Sequence, residues 1–123
     1  MPTESFRASV RRQPPATVID LQGDIDGGAE EQLNAAYSEA CDQYPRAIVL
    51  NFAGVGFINS TGIALIVSIL ARARKDGLPL LTCHLSDHYR EIFEITRLID
   101  FVQVTPDEES AIASVVNLTR EAV

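Results

Sequence analysis

Basic residues are scarce in this chain. Ten Lys and Arg stand against 17 Asp and Glu, a net charge of −7 over 123 residues. A protein that takes a nucleic-acid backbone as its main partner needs clustered cations. Here the only groups are the Arg11, Arg12 pair and Arg72, Arg74, Lys75, too short to read as a phosphate-binding patch, so direct nucleic-acid binding is not expected. Cysteine is scarcer still: Cys41 and Cys83 lie far apart, in segments that read as a helix and a strand. Free thiols in a reducing compartment account for both, and no metal site is expected. Long hydrophobic runs are missing too. Gly62 to Ala71 is the longest near-apolar stretch, well short of the roughly 20 residues that cross a bilayer. Residues 1–12 lack the apolar centre of a secretory signal. These absences imply a cytoplasmic protein with no membrane association.

What is present is an ordinary globular composition, 46% apolar and 22% charged, which is not that of a disordered chain. The length suits one domain over residues 1–123, able to bury a core without disulfides or metals. No internal repeat or low-complexity segment stands out.

Apolar periodicity divides the chain into alternating strands and helices. Two short strands, Phe6 to Arg11 and Thr17 to Gln22, flank a turn at Pro14-Pro15 and are expected to be antiparallel. After the turn cluster Gly23 to Gly28, a helix runs from Ala29 to Tyr44 with Leu33, Ala36, Tyr37 and Ala40 on one face, and Pro45 stops it. Ala47 to Phe52 reads as a strand buried on both faces. A loop carrying Gly54 and Gly56 leads to a helix from about Gly62 to Lys75, with Ile63, Ile66, Ile69, Leu70 and Ala73 facing the core. Leu80 to His84 is the next strand, Asp87 to Arg97 the next helix with a stripe of Tyr89, Ile92, Phe93 and, less regularly, Ile95, and Phe101 to Val104 the last strand. A final helix starts at Pro106-Asp107-Glu108-Glu109, with Thr105 as its expected cap. The pattern implies an α/β fold: a mixed, mostly parallel sheet of about five strands with about four helices.

The segment richest in chemistry is Gly54-Val55-Gly56-Phe57-Ile58-Asn59-Ser60-Thr61-Gly62-Ile63, which leads from a buried strand into a helix. In open parallel sheets, sites form beyond the carboxyl ends of the strands. Asn59, Ser60 and Thr61 are all residues that cap helices, so capping alone would explain them. A hydroxyl at that place also suits a phosphate, because a helix N-terminus presents free N–H donors and partial positive charge.

Four pieces of the chain resemble the STAS domain family in its anti-sigma factor antagonist branch, over about Thr17 to Ala113. They are Leu21-Gln22-Gly23-Asp24-Ile25-Asp26, Ile48-Val49-Leu50-Asn51-Phe52, Phe57-Ile58-Asn59-Ser60-Thr61-Gly62-Ile63 and Tyr89-Arg90-Glu91-Ile92-Phe93-Glu94-Ile95-Thr96-Arg97-Leu98. The resemblance implies a non-enzymatic partner switch without cofactor. Ser60 matches the family's phosphorylated serine, and Thr61 the neighbouring hydroxyl. The unphosphorylated form is expected to bind a serine protein kinase that doubles as an anti-sigma factor and so to free a sigma factor. A metal-dependent serine phosphatase would reset the cycle, with the protein itself a monomer or weak dimer. Two positions depart from the family pattern: Asn59 stands where Asp precedes the serine, and Arg97 where Gly is common, the latter read as surface variation. Partner docking is expected at Asp24, Asn59, Thr61 and Gly62, and along the outer face of the following helix at Ala64, Leu65, Ser68 and Arg72. The alternative is a STAS module that senses a small ligand or nucleotide, or scaffolds a larger complex.

Other motifs carry less. Asp24 and Asp26 at a turn before a helix serve the turn and the helix dipole more readily than acid–base catalysis. His84 and His88 straddle a strand-to-helix junction and do not share a helical face as a zinc pair would. Gly54 and Gly56 make neither a dinucleotide nor a P-loop fingerprint. Ser60 lacks the Gly two residues before it that a hydrolase nucleophile elbow requires, which places a hydrolase last.

Overall fold

The computed structural model describes residues 5–121. The strands are β1 (Arg7–Gln13), β2 (Ala16–Ile25), β3 (Ala47–Ile58), β4 (Leu80–Cys83) and β5 (Gln103–Val104); the helices are α1 (Glu30–Cys41), α2 (Ser60–Lys75), α3 (Asp87–Ile95) and α4 (Glu108–Glu121). One five-stranded sheet runs in the order β1-β2-β3-β4-β5. β1 is antiparallel to β2, and every later pairing is parallel. The mixed, mostly parallel sheet with four helices is the architecture the periodicity implied.

This order decides where the core lies. The chain steps in one direction across the sheet from β2 to β5, so right-handed crossovers carry α1, α2 and α3 over the same face. Alternate strand residues confirm the division. Ile19, Leu21, Ile48 and Leu50 join Leu33, Tyr37, Ile66, Ile69 and Phe93 in the larger cluster. Val18, Val49, Leu81 and Cys83 point the other way and meet α4 through Ala111 and Val115. An ionic cluster also ties α4 to the sheet: the Arg11 guanidinium on β1 donates to Asp20 on β2 and to Glu108 on α4, and Asn51 donates to Asp20 at 2.8 Å. Cys83, buried under α4, has its thiol pushed up to about 11 by that burial. Cys41 and Cys83 are free thiols.

Several boundaries differ from the sequence expectation. β2 and β3 do not stop at Gln22 and Phe52 but run on to Ile25 and Ile58, because two irregularities in register let β3 keep pairing with β2 through its glycines. α1 ends at Cys41, short of Tyr44, whose backbone is left-handed at φ 52°. α2 begins at Ser60, two residues before Gly62. α3 is capped by Ser86 and ends at Ile95, which is exposed rather than part of the buried stripe. Its Arg97 has φ 65° and ψ 18°, a left-handed conformation that glycine adopts without steric cost, so this position is a helix-ending turn and not neutral surface. Phe101 lies outside β5. The cap of α4 is Asp107, whose Oδ1 accepts from the Ser110 N–H at 2.8 Å; that hydrogen bond holds the Asp107 carboxyl below the usual carboxylate range. Thr105, the expected cap, instead donates its hydroxyl to the Thr82 carbonyl at 2.7 Å.

Candidate functional site

The ends of β2 and β3 and the start of α2 form one apex of the molecule. β3 reaches it by bulging. Asp20 pairs with Asn51 but Gln22 with Gly54, and Gly23 pairs with Val55 but Ile25 with Ile58, so β3 spends one extra residue in each interval. The extra residues re-aim the strand end: Val55 and Ile58 turn toward the larger core, and Phe57 is left 55% exposed at the tip. Gly54 permits the first irregularity, since a Cβ there would stand 2.8 Å from Gln22 Cγ and 3.0 Å from the Leu21 carbonyl oxygen.

Asn59 then starts the helix. Its backbone is extended, its Oδ1 accepts from the Gly62 N–H at 2.8 Å, and its carbonyl accepts from the Ile63 N–H at 2.9 Å. Asn59 is therefore the N-cap and Ser60 the first helical residue, with its side chain released from capping. Helical geometry gives the N–H groups of Ser60 and Thr61 no acceptor within α2. Both residues are exposed. The Asn59 N–H donates to the Ile25 carbonyl at 3.2 Å, which joins the helix start to the end of β2. At Gly62 the two elements press together so closely that a Cβ would lie 2.0 Å from that carbonyl oxygen.

The apex is braced from behind by a residue whose role the sequence did not suggest. Tyr89 reads as one more apolar position of α3, yet its hydroxyl accepts from the Ile58 N–H at 2.8 Å and lies 3.4 Å from the Ile58 carbonyl. The backbone immediately before Asn59 is thus held by α3. Asp26 caps the turn at Gly27–Ala29 by accepting from the Gly28 N–H at 2.9 Å, the structural part read for it from the sequence. Asp24 is half-buried and faces Gly56 across the strand ends.

The residues named from the sequence fall into two groups. Asp24, Asn59, Ser60 and Thr61 surround the apex, while Gly62 is buried and offers almost no surface to a partner. Along α2, Ala64 and Ser68 are exposed and Leu65 is half-buried against the core. Arg72 is engaged within the fold: it donates to Asn34 Oδ1 at 3.2 Å and stacks 4.5 Å from the Tyr37 ring centre. Leu65, Ser68 and Arg72 line a groove shared with Glu30, Leu33 and Asn34 of α1, so the outer face of α2 is continuous with α1. His84 and His88 are both exposed. Phe57 was missed because its exposure depends on the bulges, which leave no mark in the hydrophobic pattern.

The electrostatics of the apex are simple. No charged residue occurs between Arg46 and Arg72. A phosphate on Ser60 would bring about −1.5 to −2 charges to a segment that has none of its own, beside the helix N-terminus that tolerates them best. None of the helices among the described residues is long and apolar enough to cross a membrane.

Comparison with known proteins agrees with this geometry. The STAS domain model matches residues 7–111. BtrV of Bordetella bronchiseptica, assigned as an anti-sigma factor antagonist, is 30% identical over 94 residues, which cover 76% of this chain and 81% of that protein. Among solved structures, the Bacillus cell fate determinant SpoIIAA in its phosphorylated form superposes with a TM-score of 0.66 at 26% identity, over 90% of this chain and 99% of that one. An anti-sigma factor antagonist from Mycobacterium paratuberculosis has the same fold, with a TM-score of 0.74 at 19% identity, over 90% of this chain and 94% of that one. With strand order, helix placement and family model in agreement over nearly the whole described chain, this protein belongs to the STAS domain family.

Proposed function

We propose that this protein is an anti-sigma factor antagonist, a non-enzymatic partner switch in which phosphorylation of Ser60 controls docking. The observation that carries this reading is the placement of Ser60: exposed, first in α2, and spared from capping because Asn59 does that work. The likeness to BtrV and to SpoIIAA in its phosphorylated form supports it.

In the unphosphorylated state the apex offers a partner an uncharged surface of Phe57, Asn59, Ser60, Thr61 and Ala64, rimmed by Asp24. A serine kinase that is also an anti-sigma factor binds there and is withdrawn from its sigma factor. Transfer of the phosphoryl group to the Ser60 hydroxyl places a hydrated dianion in the middle of that contact. Desolvating such a charge without a basic partner costs several kcal/mol, enough to dissociate a moderate complex. The first-turn N–H groups of α2 accommodate the phosphate in the free protein, so the fold persists while docking is lost. A metal-dependent serine phosphatase restores the starting state.

The test uses two baits in a lysate of the source organism, Ser60→Ala and Ser60→Glu. The reading expects a serine kinase to be recovered on the first and depleted on the second. Equal recovery on both, with the phosphorylated protein also binding the kinase undiminished, would overturn it.

A further inference from the structure

The two faces of the sheet are covered unequally. On one face, α1, α2 and α3 all contribute side chains to the larger cluster. On the other, Ala16, Val18, Ala47, Val49, Leu81 and Cys83 form a buried apolar floor, and the helical side chains packed on it among the described residues are Ala111, Ile112 and Val115, all from α4. That grip spans little more than one helical turn. Beyond it, Val116, Asn117 and Leu118 are exposed.

Polar contacts complete the attachment at the two edges of the sheet. Arg11 on β1 donates to Glu108 in the first turn of α4, with a second contact at 3.4 Å to the other carboxylate oxygen. Asp20 holds the same guanidinium on the sheet, so Arg11 keeps its place without Glu108. At the opposite edge, Gln103 on β5 donates to the Ser114 hydroxyl at 3.1 Å in an exposed contact. The side chains of Arg11 and Glu108 are 39% and 30% exposed, so water replaces their pairing at modest cost. The connection before the helix is firmer. Thr105 is buried and donates twice to the Thr82 carbonyl, from its N–H at 2.9 Å and from its hydroxyl at 2.7 Å. Asp107 caps α4 itself and moves with it. Pro106 is thus the link between a fixed point on the sheet and the helix.

An element with few buried apolar contacts and exposed polar attachments opens at lower free energy than the core beside it. We infer that α4 is a hinged cover, which swings away about Pro106 while the sheet and α1 to α3 stay folded, and so presents the Val18, Val49 and Leu81 floor and the Cys83 thiol to solvent. The opened state offers an apolar sheet face on the side of the molecule opposite α2. The bond between Asn59 and the Ile25 carbonyl, which positions Ser60, is untouched by the motion.

The Cys83 thiol reports the opening, because a buried thiol is inert and an uncovered one is alkylated. Iodoacetamide labelling of the full chain, read peptide by peptide by mass spectrometry, separates Cys83 from Cys41, which packs against the larger cluster. In low urea the Cys83 rate should depend far less on urea than global unfolding does, since opening α4 exposes little surface. Val115→Ala should speed labelling about tenfold, and Glu108→Gln about threefold. Ile66→Val, in the larger cluster that the closed and open states share, should lower the urea midpoint yet leave the Cys83 rate in water within about twofold of the parent. A Cys83 rate with the full urea dependence of global unfolding would overturn the proposal. So would acceleration by Ile66→Val in step with its loss of stability, or rates that Val115→Ala and Glu108→Gln leave unmoved.

Discussion

The backbone at Gly62 lies so close to Ile25 that the position has no room for a side chain. A Cβ there would stand 2.0 Å from the Ile25 carbonyl oxygen and 2.7 Å from its carbon. The same carbonyl accepts from the Asn59 N–H. The start of α2 and the end of β2 are therefore one rigid joint, and the exposed Ser60 is presented from it in a fixed orientation. Gly62→Ala should force the helix start away from the strand and cost about 2–3 kcal/mol or more, as overpacking against backbone does. Gly77→Ala, at φ 71° with open space around it, should cost only about 1 kcal/mol from backbone conformation. Urea denaturation of the two variants checks the ordering.

The cap of α2 and the proposed phosphorylation site are different residues, and stability separates them. Asn59→Ala removes the acceptor for the Gly62 N–H and should cost about 1 kcal/mol. Ser60→Ala touches no capping bond and should stay within about 0.5 kcal/mol of the parent. If Ser60→Ala proved the more destabilising change, the cap would have been misassigned.

Tyr89 tests the brace behind the apex. Tyr89→Phe keeps the ring but leaves the Ile58 N–H without its 2.8 Å acceptor in a buried setting, at a cost of about 1–3 kcal/mol. Hydrogen exchange should quicken at Ile58 and Asn59 more than at β4. Uniform loss of protection would mean that the brace serves the whole core rather than the apex.

Acid should loosen the Arg11–Asp20 contact between β1 and β2. The Arg11 guanidinium donates to Asp20 and holds its carboxyl below the usual carboxylate range, with Asn51 adding a further hydrogen bond and partial burial opposing both. A carboxyl depressed in the folded state contributes stability above its unfolded value, and that contribution is lost as pH falls through the folded value. Stability should therefore decline below about pH 4, and Asp20→Asn should flatten part of that decline. Thermal melts from pH 7 to pH 3 read both curves.

Arg97 offers a gain. Its left-handed backbone costs an L-residue about 1 kcal/mol, while its exposed pair with Asp100 at 3.0 Å returns only a few tenths. Arg97→Gly should raise the melting temperature slightly, and a clear fall would show that the ion pair outweighs the strain.

The alternation of strands and helices and the mostly parallel sheet were legible because strands and crossover helices carry different apolar periods, and a polar cap triplet marks where α2 begins. The path of β3 beyond Phe52 was not. Its two irregularities shift residues between faces without changing composition, so Gly54 and Gly56 read as loop and Phe57 as unremarkable. The cap of α4 was misplaced for a local reason: Thr105 and Asp107 both can cap, and only the hydroxyl's bond to the Thr82 carbonyl across β4 decides between them. Tyr89 and Arg97 show the same limit. A hydroxyl that reaches another element, or a turn that closes left-handed, depends on distant backbone that no sequence window contains.

The most direct test of the central claim is mass spectrometry of the protein isolated from its own host, intact and as peptides, with and without phosphatase treatment. The account predicts a phosphatase-sensitive phosphoryl group on Ser60 in part of the population, absent from Ser60→Ala. Protein that carries no phosphate on Ser60 under any growth condition, or carries it on Thr61 instead, would contradict it.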